Sequence, residues 1–242
     1  MCHEHDLCAK NRLQDESVIM ICRFSPKVTL SLLSVCLLAA PVSLKAVFPE
    51  AIAQTASNAA TSAETTSAAA PVAALYEALK SAQKAGKTAQ QRATMIAPAV
   101  DHAFDLETIL RRSVGVRYNS LSPADRTRLL GSFRQFTIAR YASSFKPESQ
   151  VVFTVLPQTR PNPTGGQIVD TTIGGTDGGD VTPIDYIMTN GASGWRITDI
   201  LLNAHISQVA AQRADFGGAL SQGGASGLAD HLDSKTAHFL HD

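Results

Sequence analysis

An α+β fold, an antiparallel four-stranded curved sheet with helices gathered on one face, is what this 242-residue sequence predicts. Three observations carry that reading. Apolar residues recur at helical spacing between 71 and 145, switch to a period of two between 150 and 203, and return to helical spacing from 206 onward. Short, turn-forming connections join the period-two stretches into a meander. The order helices, sheet, helices favours segregated layers over alternating βαβ units.

Each element follows from local chemistry. "PVAALYEALKSAQ" places Pro71 at the start of a first helix and Leu75, Tyr76 and Leu79 on one side of it. Thr88 caps a second helix, "TAQQRATMIAPAVDHAF", in which Met95, Ile96, Ala99, Val100 and Ala103 share a face and Pro98 is expected to introduce a kink. A short third, "DLETILRRSVG" (105–115), ends at Gly115. The longest spans 122–145: Ser122 is the N-cap, Pro123 takes the first helical position and Asp125 completes a capping box. Leu129, Leu130, Phe133, Phe136, Tyr141 and Phe145 then form one broad stripe, for which core packing is the ordinary reading. Four strands follow, "QVVFTVLPQT", "GQIVDTTIG", "VTPIDYIMTN" and "GWRITDILLN", separated by "RPNPTGG", "GTDGGD" and "GAS". Two closing helices, "ISQVAAQRADFGGAL" and "GASGLADHLDSKTAHFL", are separated at Gly223 and Gly224.

Composition bounds the function. With 44% hydrophobic and 17% charged residues the chain can bury a substantial core, and a formal charge of zero without a Lys/Arg cluster excludes the electrostatic footprint of a nucleic-acid binder. Residues 1–53 read as a signal region. Arg23 and Lys27 precede the apolar run "VTLSLLSVCLLAA" (28–40), "AIA" (51–53) supplies small residues for cleavage before Gln54, and Met20 is a candidate for the true start. An uncleaved anchor is the open alternative. All four cysteines (Cys2, Cys8, Cys22 and Cys36) precede Ala53, so a mature chain has neither a disulfide framework nor a thiol nucleophile. Residues 54–70, rich in Ala, Ser and Thr, carry no large apolar side chain and read as a disordered tether to one domain over 71–242.

Chemistry-bearing motifs are scarce. Neither a Gly-x-Ser-x-Gly elbow nor a phosphate-binding glycine loop occurs, and no cofactor or metal is expected. His238 and His241 lack acidic or cysteine partners, and "GGTDGGD" (174–180) reads as a hairpin turn. The enzymatic alternative rests on Asp170, Asp185 and Asp199, each in the middle of an expected strand. A carboxylate pushed into an apolar cone can serve as a general base, which would suit an isomerase or dehydratase. Against that, such aspartates more commonly face solvent or pair with arginines such as Arg196.

Taken together, "FDLETILRRSVGVRYNSLSPADRTRLLGSFRQFTIARYASSF" (104–145), "GWRITDILLN" (194–203) and "FGGALSQGGASGLADHL" (216–232) resemble the MlaC (toluene-tolerance) family of exported lipid-binding proteins, within it the hopanoid-associated HpnM branch. The likeness is carried by Phe104, Asp105, Leu121, Ser122 and Pro123, then by Trp195, Arg196, Ile197 and Asp199, and last by Phe216, Gly227 and Leu228. Where the family has Trp in a Val-Gly-x-x-Trp step, Tyr118 stands here. The resemblance implies a monomeric periplasmic carrier. Its cargo would be phospholipid or hopanoid, its docking partners an inner-membrane ABC transporter with an MCE-domain protein and an outer-membrane lipoprotein complex. Asp199 belongs to the family's strand pattern, which implies a structural role for it.

A carrier must shield hydrocarbon at about 0.8 kcal/mol per CH₂, roughly 25 kcal/mol gross for two ordinary tails. That needs an apolar cavity between sheet and helices. The strand "GWRITDILLN" has apolar residues at both odd and even positions, as expected if one set meets the core and the other a lipid tail. The expected lining is Val152, Val155, Ile168, Ile184, Ile187, Ile197 and Leu201 from strands and Ile109, Phe133, Phe136 and Tyr141 from helices, with Arg117 or Arg140 at the headgroup mouth. A one-residue slip in register would exchange the two strand sets.

Overall fold

The computed structural model describes residues 67–175 and 181–241. The signal region, all four cysteines and most of the expected tether lie outside the described residues, as do positions 176–180 of the turn expected at 174–180.

Helix α1 (Ala70–Ala85) carries proline in its first turn and buries Val72, Leu75, Tyr76 and Leu79. Helix α2 (Ala89–Ala103) is opened by a capping box in which Thr88 accepts from the Gln91 N–H and the Gln91 side chain accepts from the Thr88 N–H. Pro98 sits inside α2, and Met95 faces outward. A buried arginine closes the corner between these helices. Arg92, 1% exposed, donates from Nε to the Ala142 carbonyl (2.7 Å) and from a terminal nitrogen to the Gly86 carbonyl (3.3 Å). A Cβ at Gly86 would lie 2.4 Å from Arg92 Cγ, so glycine alone permits this approach.

Asp105 caps α3 (Leu106–Val114) through the Thr108 N–H, and Gly115 ends it at φ 73°. A 3-10 turn, Gly115–Ser120, leads to α4 (Pro123–Ser144), whose N-cap Ser122 accepts from the Asp125 N–H and donates to the Asp125 carboxylate. The α4 stripe is buried as its spacing predicts: Leu129, Phe133, Phe136 and the following Phe145 are all under 7% exposed.

Five strands then form one antiparallel sheet in chain order, against the four expected: β1 (Val151–Pro161), β2 (Gln167–Gly175), β3 (Val181–Gly191), β4 (Gly194–Leu202) and β5 (Ile206–Ser207). The fifth is two residues long, too short for any period to register in the sequence. One face of the sheet meets the helices. Tyr76 of α1 lies 4.9 Å from Phe153 and 5.8 Å from Tyr186 between ring centroids, and Phe145 lies 4.9 Å from Phe153.

In β4 the ladder skips a residue. Ile187 pairs with Asp199 while Met188 pairs with Ile197, leaving Thr198 as an extra residue. Beyond such a bulge the alternation of side chains reverses. Trp195 and Ile197 before it, and Ile200 and Leu202 after it, therefore all pack toward the helix-side core. The expectation of two greasy faces is corrected here for all but Leu201: these odd- and even-numbered residues belong to one face read in two phases.

The chain closes with α5 (Gln208–Leu240), two helices as expected, joined directly across a kink at Gly224, whose φ 61°, ψ −152° is not helical. The glycine pair that marked a boundary thus produces a kink without a loop. Both halves pack on α4: Phe216 reaches Phe133 (6.2 Å) before the kink, and Arg128 pairs with Asp230 after it. Gly218 is exposed in the first half, and a Cβ there would meet nothing within 4 Å. Gly218→Ala is accordingly expected to stabilise the fold by about 0.5–1 kcal/mol in urea unfolding, because only backbone entropy changes.

Candidate functional site

Where α3, α4 and the first turns of α5 meet the bulged end of β4, they enclose a cleft of about 390 Å³, counted with its open mouth. Only about 30 Å³ of it can be reached by the centre of a water molecule, so it is a slit. Its apolar wall comes from Phe104, Leu106, Ile109, Phe133, Phe136, Tyr141, Ile200 and Val209.

Its polar groups are Thr137, Arg140, Asp199, Gln208 and Gln212. Asp199 is occupied locally: it accepts from Ser207 Oγ (2.6 Å), from the Val209 N–H (3.1 Å) and from its own neighbour Ile200 N–H (2.7 Å), and so fastens the start of α5. Gln212 is tied to Ser113 Oγ (2.9 Å), and Thr137 Oγ donates to the Phe133 carbonyl (2.9 Å). Arg140 differs. Among the described residues it has no carboxylate partner, and burial pulls its pKa below the ordinary arginine value, while the neighbouring Tyr141 opposes that shift. A guanidinium held in an apolar wall without a counter-ion is a site for an anion.

Behind this cleft Tyr76 and Tyr186 meet edge to face. Tyr76 Oη lies 2.6 Å from Thr171 Oγ1, and Thr171 Oγ1 donates to the Ile184 carbonyl (2.6 Å). Burial raises the phenols of Tyr76, to about 12, and of Tyr141 and Tyr186, so all three stay protonated at physiological pH.

Of the residues expected at the site, Ile109, Phe133, Phe136, Tyr141 and Arg140 come together in the cleft wall. The strand candidates do not. Ile184 and Ile197 are 2% and 0% exposed and belong to the packed core, with Val155 partly buried against it. Val152, Ile168, Ile187 and Leu201 have the opposite parity and lie on the face away from the helices. Arg117 is exposed on the turn beyond Gly115 and donates to Ser221 Oγ (3.2 Å). The strand contribution is instead Ile200, which the Thr198 bulge turns to the helix side, together with its neighbour Asp199. Nothing in the alternation of "GWRITDILLN" locates a bulge. Phe104 and Leu106, which flank the Asp105 cap, and Val209 in the first turn of α5 were also unforeseen, though each sits beside a capping signal.

The other two strand aspartates lie outside the cleft. On the far face of the sheet Arg160 binds Asp170 through Nε (2.9 Å) and Asp185 through a terminal nitrogen. Burial, and then the Asp170 charge, raise the Asp185 pKa. Arg196, the partner anticipated for these carboxylates, donates instead to the Asp101 and His102 carbonyls at the end of α2. A broader depression of about 890 Å³ is lined by Asn162, Gln167, Thr189 and Asn190 together with Ile187 and Trp195. A wall this largely polar shelters hydrocarbon poorly.

The sequence model of the family described as MlaC protein matches residues 70–234, from the first turn of α1 nearly to the end of α5. The chain belongs to the MlaC family. Among solved structures, this MlaC chain is similar to a phospholipid-binding protein from Ralstonia solanacearum determined in complex with a phospholipid, with a TM-score of 0.60 and 18% identity. The likeness covers 71% of this chain and 98% of that one, and at this identity it establishes the shared fold. A search among curated proteins returns no match.

Proposed function

We propose that this MlaC-family chain is a lipid carrier, that its cargo lies with hydrocarbon in the α3–α4–α5 cleft, and that an anionic headgroup meets Arg140. The observation that carries this reading is the pairing of a mainly apolar slit with one guanidinium that has no carboxylate partner among the described residues. With only about 30 Å³ open to the centre of a water molecule, the slit has room for a water or two, so even one acyl chain requires the walls to part. The break at Gly224 supplies a joint for the helix that forms one of those walls.

The wider proposal is that the carrier is exported to the periplasm and moves its lipid, phospholipid or hopanoid, as a monomer between an inner-membrane transporter complex and an outer-membrane lipoprotein complex. Family membership and the apolar run at 28–40 support it. No covalent step is involved, and Asp199, the base of the enzymatic alternative, is already engaged by Ser207 and the α5 backbone. Native mass spectrometry of protein from the exported fraction tests the reading. The expected result is a mature chain beginning near Gln54 with non-covalent lipid. Protein that never retains lipid, whether as isolated or after incubation with phospholipid vesicles, would overturn it.

A further inference from the structure

The end of α3 gathers positive charge that no carboxylate neutralises. Arg111 and Arg112 stand in its last turn, Arg117 on the 3-10 turn that follows, and Arg213, 101 residues beyond Arg112, is folded back onto them. All four are exposed. Their anchors are neutral: Arg213 donates from Nε to the Arg112 carbonyl (3.0 Å), Arg117 to Ser221 Oγ (3.2 Å), Arg112 to the Thr198 carbonyl (3.4 Å) and Arg111 to Thr108 Oγ1 (3.4 Å). Each anchor uses one or two of the five N–H donors and cancels none of the charge. Among the described residues none of the four has a carboxylate partner, whereas Arg128, Arg134 and Arg160 each do. Glu107 is the one acid of α3. In a chain whose formal charge is zero, the fold thus builds a local surplus from residues far apart in the sequence.

On the 3-10 turn itself, between Gly115 and Arg117, Val116 is 89% exposed. A lone exposed valine is ordinary on a protein surface. One set among unneutralised guanidinia matches a bilayer interface, where phosphates meet the cations and an apolar tip enters the layer beneath. The patch also adjoins the cleft: Gln212 lines the slit directly before Arg213, and Ile109 lines it one turn before Arg112. Building on the lipid-carrier reading, we propose that the end of α3, with Arg213, is the surface by which the carrier lands on an anionic lipid bilayer, Val116 entering the headgroup layer and the four guanidinia resting on phosphates.

The test is flotation of the purified protein with vesicles of phosphatidylcholine alone or of an equimolar mixture with phosphatidylglycerol, and thermal unfolding confirms that each variant is folded. The native protein is expected to bind the mixed vesicles about tenfold or more tightly than the neutral ones, and added salt should release it. Arg111→Glu and Arg117→Glu should each weaken binding about fivefold or more, and Val116→Ser about threefold. The controls are Lys84→Glu and Lys87→Glu, which change the net charge equally. They lie at the corner between α1 and α2 beside the last turn of α4, about 33 Å along that helix from the patch, and should have little effect. A soluble polyanion would feel the arginines and be indifferent to Val116. Equal binding to both vesicles, equal losses at the control lysines, or no effect of Val116→Ser refutes the inference. Such a failure in a protein that still yields lipid in organic extracts leaves the carrier reading standing, and landing by a protein that retains no lipid does the reverse.

Discussion

Thr137→Trp is expected to abolish lipid retention without weakening the fold. Thr137 lines the slit from α4 and is only half-buried, and its hydroxyl merely bonds back to the Phe133 carbonyl one turn earlier. An indole at this point fills the space that a tail would occupy. Filling an apolar cavity tends to stabilise, at roughly 24 cal/mol per Å³ recovered, and overpacking offsets part of that gain. Lipid per protein, measured in organic extracts, should fall at least tenfold, while the urea midpoint stays level or rises. A variant that still carries the native complement of lipid would place the cargo elsewhere. The choice of Thr137 matters: a charge at fully buried Ile197, outside the cleft, would unfold the protein and report nothing about cargo.

The second large effect concerns stability alone. Arg92→Ala should cost about 3–5 kcal/mol, because it strips charged hydrogen bonds from two buried carbonyls and leaves a cavity. One of those carbonyls, Ala142, lies in the last turn of α4, where the helix dipole is negative and a cation contributes most. Urea unfolding should show a lower midpoint with an unchanged slope. Arg92→Lys should recover only part of the loss, since an ammonium cannot span the Ala142 and Gly86 carbonyls as the guanidinium fork does. A loss below about 1 kcal/mol for the alanine variant would contradict this account.

Helix boundaries were legible because caps are local: Thr88 with Gln91 and Ser122 with Asp125 announce themselves within four residues. Strands were legible for the same reason, their period being visible wherever they run long enough. The cleft was legible only on its helical side. Phe133 and Phe136 face it because the α4 stripe is continuous, whereas Ile200 faces it because one residue is inserted at Thr198, and an insertion in register is decided by partners on β3 that a reading along β4 does not contain. Arg140 was legible in the sequence as a residue for the headgroup mouth, but its want of a carboxylate partner among the described residues emerges only when the fold has placed them.

The narrowness of the slit has a bearing on solubility. Grease that faces grease is hidden from water, and walls set this close present no sticky furrow through which two copies could clump. Turning the adhesive surface inward in this way favours dispersal at high concentration.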